Sequence, residues 1–163
     1  MKRVPYTKLL LPWLCGLVLT GCAATTGSVR SDLNREALQQ QLLTLPGAVV
    51  DLNSMTVAYP GDVLYAPGAA LPLPGGLEVL DPLISWMLKT DGIYGEARVR
   101  SSGYAVDYDR VLAEKRRELL ERLFLNRGLN AQRLHLMVDE SAGAPLEIRF
   151  QLRSSATSAG EKS

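Results

Sequence analysis

Two periodicities divide this chain into elements. Apolar residues recur at every second position in three stretches. Glu96 to Arg100 alternates charged residues with Ala97 and Val99. Arg133 to Asp139 places Leu134, Leu136 and Val138 on one face. Leu146, Ile148, Phe150 and Leu152 alternate with Glu147, Arg149, Gln151 and Arg153. A repeat of two is that of a half-buried strand, so each stretch is predicted as a strand with its apolar set inward. The Ser-Ala-Gly-Ala-Pro loop between the last two predicts a hairpin. Ala48 to Leu52 and Met55 to Tyr59 are also rich in strand formers, with Asn53-Ser54 as the turn, and Val63-Leu64-Tyr65 reads as a short extended piece. Helical spacing appears in three other places. Asp107 to Asn126 is the clearest, closed by the stop Asn126-Arg127-Gly128. Leu77 to Lys89 is predicted as a helix with Asp81 as N-cap and Pro82 at the first helical position. Asp32 caps a shorter predicted helix through Leu43, with Leu38, Leu42 and Leu43 on one side, stopped by Pro46-Gly47. The resulting order, β-α-β-α-β-β, predicts an α/β sandwich with two main helices packed on one face of a mixed sheet.

The N-terminus follows neither period. Lys2, Arg3 and Lys8 precede an apolar run from Leu9 to Thr20. This is the basic start and short apolar core of a secretory signal, and it falls short of the roughly 20 apolar residues that a membrane-spanning helix needs. It ends in Leu19-Thr20-Gly21-Cys22, which resembles the lipobox of bacterial lipoproteins. The resemblance implies cleavage before Cys22, a diacylglycerol thioether on its sulfur and an acylated amine. Ala23, where an aspartate would favour retention at the inner membrane, implies delivery to the outer membrane. The chain is thus divided into a signal peptide (1–21), a lipidated tether of small polar residues (22–31), an N-terminal helix and first strand (32–54), a main domain (55–153) and a tail poor in apolar groups (154–163), expected to be disordered.

Composition changes this picture little. Of 163 residues, 47% are hydrophobic and 21% charged, with a formal net charge of +1. That balance, without a basic run, excludes the electrostatic footprint of a nucleic-acid binder. Loss of residues 1–21 removes three of 18 basic residues and no acidic ones, leaving 15 against 17. It also removes Cys15, and lipidation consumes Cys22, so no thiol remains for a disulfide or a metal. His135 is the only histidine. Histidine triads and zinc clusters therefore lack material, and no phosphate loop or dinucleotide fingerprint is present. No cofactor, no metal and no catalytic residue is expected. Trp86 and Met87 are read as core, and Arg98 and Arg100 as sharing the outer face of a strand.

The order and spacing of the mature chain resemble the OmpA-like peptidoglycan-binding domain over residues 55–153. Leu64-Tyr65, Gly68-Ala69-Ala70 and Leu71 sit where that family has a Leu-Phe strand end and a Gly-Ser-Ala-x-Leu-like loop. Asp109-x-x-Leu112-Ala113-x-x-Arg116-Arg117 resembles its Asn-x-x-Leu-Ser-x-x-Arg-Ala, and Gly128-Leu129 with Arg133-Leu134 resemble its later steps. The resemblance implies a site for the diaminopimelate of the stem peptide, in which an aspartate takes the ammonium and the helix arginine, here Arg116, takes the carboxylate. One anion and one bidentate cation on a rigid frame suit a zwitterion.

Periodicity singles out Arg116 independently. At about 100° per residue it falls within the arc of Leu112, Leu119, Leu120 and Leu123, away from Glu114, Glu118 and Glu121. A charge in a core-facing stripe requires a partner or a ligand, or else a stem that packs while its head reaches water. The family's aspartate is missing. Its Thr-Asp pair falls on Arg100-Ser101, and Ser101 carries no charge. Asp107 and Asp109 are the nearby candidate substitutes, although both also suit a helix N-terminus.

Two functions are thereby expected. The first is a non-catalytic periplasmic lipoprotein tethering the outer membrane to peptidoglycan through a degenerate site of Arg116, Asp109, Asp107 and Ser101, with Cys22 lipidated. The second is an adaptor in an envelope-spanning secretion or pilus assembly, its partners envelope proteins. An open groove placing Asp107 or Asp109 within reach of Arg116 favours the first; a closed groove favours the second.

Overall fold

A computed structural model of the protein describes residues 35–101 and 103–152. The signal, Cys22, the tether, Asp32 and the tail lie outside the described residues. The chain forms a five-stranded sheet in the order β1-β2-β5-β3-β4, built from β1 (Val49–Asp51), β2 (Thr56–Tyr59), β3 (Ile93–Val99), β4 (Leu134–Val138) and β5 (Leu146–Leu152). Only β3 and β4 pair in parallel. The helices are α1 (residues 35–42), one-turn α2 (Gly61–Leu64), α3 (Asp81–Lys89) and α4 (Val106–Asn126). The expected α/β architecture with a mixed sheet is what the chain adopts.

The predicted strand alternation builds the core. In β3 every second residue, Ile93 to Val99, is buried and the intervening ones are half-buried. Val57, Tyr59, Ala97, Val99, Leu146, Ile148 and Phe150 face a single core, together with Leu38 and Leu42 of α1, Leu83 and Met87 of α3, and Leu120 and Phe124 of α4. Trp86 fills core as expected, edge-on to Phe150 with centroids 5.0 Å apart, and its indole N–H donates to Gln41 Oε1 (2.7 Å). Gly95 lets β3 lie close to its neighbours: a Cβ there would stand 2.7 Å from Leu134 Cδ1. The helix stop after α4 is as predicted. Gly128 takes φ +89°, its N–H donates to Leu125 O (3.0 Å), and Leu129 N–H donates to Phe124 O (2.8 Å), the paired bonds of a Schellman ending.

Several expectations are corrected. The β1–β2 turn takes four residues, 52–55, not two; Met55 stands at φ +54° within it, and the Asp51 carboxylate accepts Asn53 N–H (3.0 Å) and Ser54 Oγ–H (2.7 Å). Leu43 is exposed, off the buried side of α1. Residues 63–64 belong to α2, not to an extended piece, because Pro60 O accepts the Val63 and Leu64 N–H groups; only Tyr65 pairs, in a lone bridge to Pro72. α3 begins at Asp81 with Leu80 as N-cap, after a 3-10 turn over Glu78–Leu80. Pro82 is therefore second in the helix, still within the first turn where no N–H is needed.

The largest correction is to the last two strands. β4 and β5 are not a hairpin. Val99 of β3 pairs with Val138 on one side and Leu146 on the other, so the 141–145 loop crosses the end of β3. Arg100, at that end, ties together the segments that the loop joins. It is 4% exposed, not on the outer face with Arg98. Its N–H donates to Pro145 O (2.9 Å), and its guanidinium donates to Asp139 Oδ2 (2.8 Å) after β4 and to Glu147 Oε2 (3.0 Å) on β5. Arg100 thus pins the crossing loop from below.

Candidate functional site

Three of the residues singled out by the sequence, Arg116, Asp109 and Ser101, gather where β3 runs into α4. Arg116 is buried, 4% exposed, on the core-facing side of α4. The stripe around it consists of Leu112, Ala113, Leu120 and Phe124, whereas Leu119 and Leu123 lie half-buried at its flank. Its Nε–H and one Nη2–H donate to Ala69 O (3.0 and 2.8 Å), and one Nη1–H donates to Arg100 O (3.0 Å). Its Cζ lies 4.4 Å from the centroid of the Tyr65 ring, a cation–π contact. Burial lowers its pKa, and the neighbouring Tyr65 and Asp109 act in the opposite direction. An arginine starts so far above neutrality that it remains a cation.

Ser101 is buried beside it, and its hydroxyl donates to Asp109 Oδ1 (2.9 Å). The other Asp109 oxygen accepts Tyr104 N–H (3.0 Å). One carboxylate in the first turn of α4 therefore fastens the segment leading into the helix, and it also suits the positive end of the helix dipole. Asp107 is not brought to this place. Its side chain is 94% exposed and reaches only Arg110, at 3.6 Å.

Three aromatic residues that sequence reasoning did not select complete the site. Tyr65 lies beneath Arg116; burial raises its phenol pKa to about 12, against the pull of the Arg116 charge. Tyr104 and Tyr108 are half-exposed and meet edge to face, with centroids 5.4 Å apart. Tyr108 Oη–H donates to Gly68 O (3.0 Å), and Gly68 lies against the Tyr104 ring. Loop 68–69 is thereby held by Tyr108 at one carbonyl and by Arg116 at the next. A four-residue spacing at a helix entry is the only sequence signal for the tyrosine pair.

A separate shallow pocket of about 70 Å³ opens between the first turns of α4 and the end of β4, lined by Ser101, Val106, Asp109, Arg110, Asp139 and Glu140 among others. Arg116 does not line it. Asp139 is already committed: Ser141 N–H and the Arg100 guanidinium hold its pKa down to about 2. Among the described residues no group of three or more His, Cys, Asp or Glu is placed to hold a metal ion, and no helix is long and apolar enough to cross a membrane.

With its mixed five-stranded sheet and packed helices, the chain has an α/β fold shared with MotB-like periplasmic domains. A putative MotB-like protein from Desulfovibrio vulgaris has a TM-score of 0.57 at 19% identity, with 79% of this chain and 95% of that one covered. The periplasmic domain of Helicobacter pylori MotB has a TM-score of 0.56 at 14% identity, covering 71% of this chain and 86% of that one. A further MotB periplasmic domain has a TM-score of 0.56 at 11% identity, covering 87% and 93%. No family model matches the chain, and no curated protein matches it. At these identities the likeness is one of fold.

Proposed function

We propose that the chain is a non-catalytic lipoprotein, lipidated at Cys22 and facing the periplasm from the outer membrane, that binds the peptidoglycan stem peptide through this domain. The observation that carries the reading is the state of Arg116. A guanidinium has five N–H donors, and three are engaged by backbone carbonyls. The two that remain suit a ligand carboxylate, and Asp109 is close enough for its charge to act on the guanidinium.

The test is sedimentation of the full-length chain, in mild detergent, with purified sacculi. Wild type is expected in the pellet, and Arg116→Ala, if it keeps the wild-type circular dichroism, in the supernatant. Equal pelleting removes Arg116 as the contact. A wild type that stays in solution removes wall binding and leaves the adaptor reading. Two observations favour that second reading: Arg116 is 4% exposed and lines no open pocket among the described residues, and both Asp109 oxygens are engaged within the chain, with Ser101 at the position of the family's aspartate.

A further inference from the structure

The shallow pocket between the first turns of α4 and the end of β4 carries charges that the fold does not use. Four charged residues line it: Asp109 and Arg110 from α4, Asp139 and Glu140 from the chain leaving β4. Two of them are committed. Asp109 accepts hydrogen bonds from Ser101 and Tyr104, and Asp139 accepts them from Arg100 and Ser141. The other two are a cation and an anion. Among the described residues the Arg110 side chain makes no hydrogen bond and meets only Asp107, at 3.6 Å. Both side chains of that pair are exposed, so it holds them weakly. Among the described residues the Glu140 side chain makes neither a hydrogen bond nor an ion pair. Arg110 and Glu140 thus line one small space without pairing across it. Apolar wall between the charges comes from Val106, Ala113 and Val138.

Charge and size together define what fits. An anion alone would face three carboxylates, and a cation alone would face Arg110 and the positive end of the α4 dipole. A ligand carrying both charges finds one uncommitted partner for each. The volume, about 70 Å³, is far below the roughly 300–1,000 Å³ that encloses a drug-sized molecule, so the pocket admits a headgroup and not a whole sugar or peptide. We propose that this pocket is a second binding site, which takes the zwitterionic headgroup of an α-amino acid, its carboxylate on Arg110 and its ammonium on Glu140. A guanidinium offers a carboxylate two parallel N–H groups, and a free carboxylate accepts from an ammonium. The apolar wall is left for the carbon that joins them. Arg116 does not line the pocket, so the inference stands whether or not that arginine holds stem peptide. A free amino acid and the exposed end of a longer side chain carry the same headgroup.

The experiment is a ligand-detected NMR titration of the full-length chain in mild detergent, with glycine as the bare headgroup and with acetate and methylammonium as its two halves. Glycine is expected to bind in the millimolar range or tighter, and each half about ten-fold more weakly or worse. Arg110→Gln and Glu140→Gln change exposed side chains and are each expected to weaken glycine about ten-fold, whereas Glu118→Gln, two turns along α4, is expected to stay within about two-fold. A soluble diaminopimelate-containing muropeptide separates the two sources. If glycine displaces it, the pocket holds the end of a wall peptide; if both bind together, the pocket takes free amino acids. No glycine binding at about 10 mM overturns the site, as does binding that survives both substitutions or that acetate alone matches. A loss by Glu118→Gln equal to that of Glu140→Gln overturns it too, because net charge would then be drawing the ligand. Muropeptide binding that Arg116→Ala removes and Arg110→Gln leaves intact, without any glycine binding, overturns this site and leaves the stem-peptide reading standing.

Discussion

Arg116 bonds two carbonyls that would otherwise be left without their partner: Ala69 O in the loop after α2 and Arg100 O at the end of β3. Hydrogen bonds to a charged group contribute about 1.5–3 kcal/mol each, and a buried carbonyl left unpaired costs about 1–3 kcal/mol. Arg116→Ala is therefore expected to lower stability by about 2–4 kcal/mol, read as a shift of the urea midpoint at constant slope. A drop below about 0.5 kcal/mol would mean that the arginine is not stapling the loop. Asp139 gives a prediction about pH. Its folded-state pKa of about 2 lies below the ordinary aspartate value of 3.8, so its ionised form favours the fold. That stability is fully present above about pH 4 and is lost as pH falls through 2. The difference in urea midpoint between wild type and Asp139→Asn is expected to be widest near pH 5 and to shrink by pH 2.5. A difference that stays constant would exclude Asp139 as the titrating group. Arg116 was legible from sequence because a helix holds its angle over many turns, so its place in the apolar arc survives small errors in the helix bounds. Arg100 was not. Alternation carried one residue beyond Val99 puts it outside with Arg98, and nothing local marks where β3 ends.

The elements around the site owe their arrangement to the crossing of the β4–β5 loop over β3. Sequential strands are neighbours about two-thirds of the time, which is why a short loop reads as a hairpin. Here the Arg100 guanidinium, bonded to Asp139 and Glu147, holds the two strands on opposite sides of β3. Removing one partner of a buried pair costs about 3–5 kcal/mol. Arg98, by contrast, is 42% exposed, with its nearest carboxylate oxygen at 3.7 Å, and such surface pairs contribute about 0–1 kcal/mol. Arg100→Ala is expected to unfold at much lower urea than Arg98→Ala, and comparable losses would remove Arg100 as the pin. The parts of the fold legible in the sequence, β3, α4 and β5, are those whose repeat runs for five residues or more, although β3 already starts at Ile93 and Leu152, expected inward, is exposed at the end of β5. The one-turn α2 and the four-residue turn before β2 are too short for periodicity, and backbone bonds from Pro60 and to Asp51 decide them instead.

At the scale of the whole molecule the proposed function has two ends, and they can be broken separately. The lipid end depends on Cys22 and on no residue of the folded domain. Each buried methylene of an acyl chain contributes about 0.8 kcal/mol, and two signals suffice for stable anchoring, so three chains on one residue would hold the protein at the membrane without help from the domain. Cys22→Ala is therefore expected to abolish incorporation of labelled fatty acid and move the protein out of the membrane fraction, while the released chain still pellets with sacculi. Arg116→Ala is expected to do the reverse, keeping the label and losing the sacculi. If Cys22→Ala remains labelled, the lipobox reading is wrong. If losing the lipid also removes sacculus binding from a chain of unchanged circular dichroism, the two ends are not independent and a tether does not describe the protein.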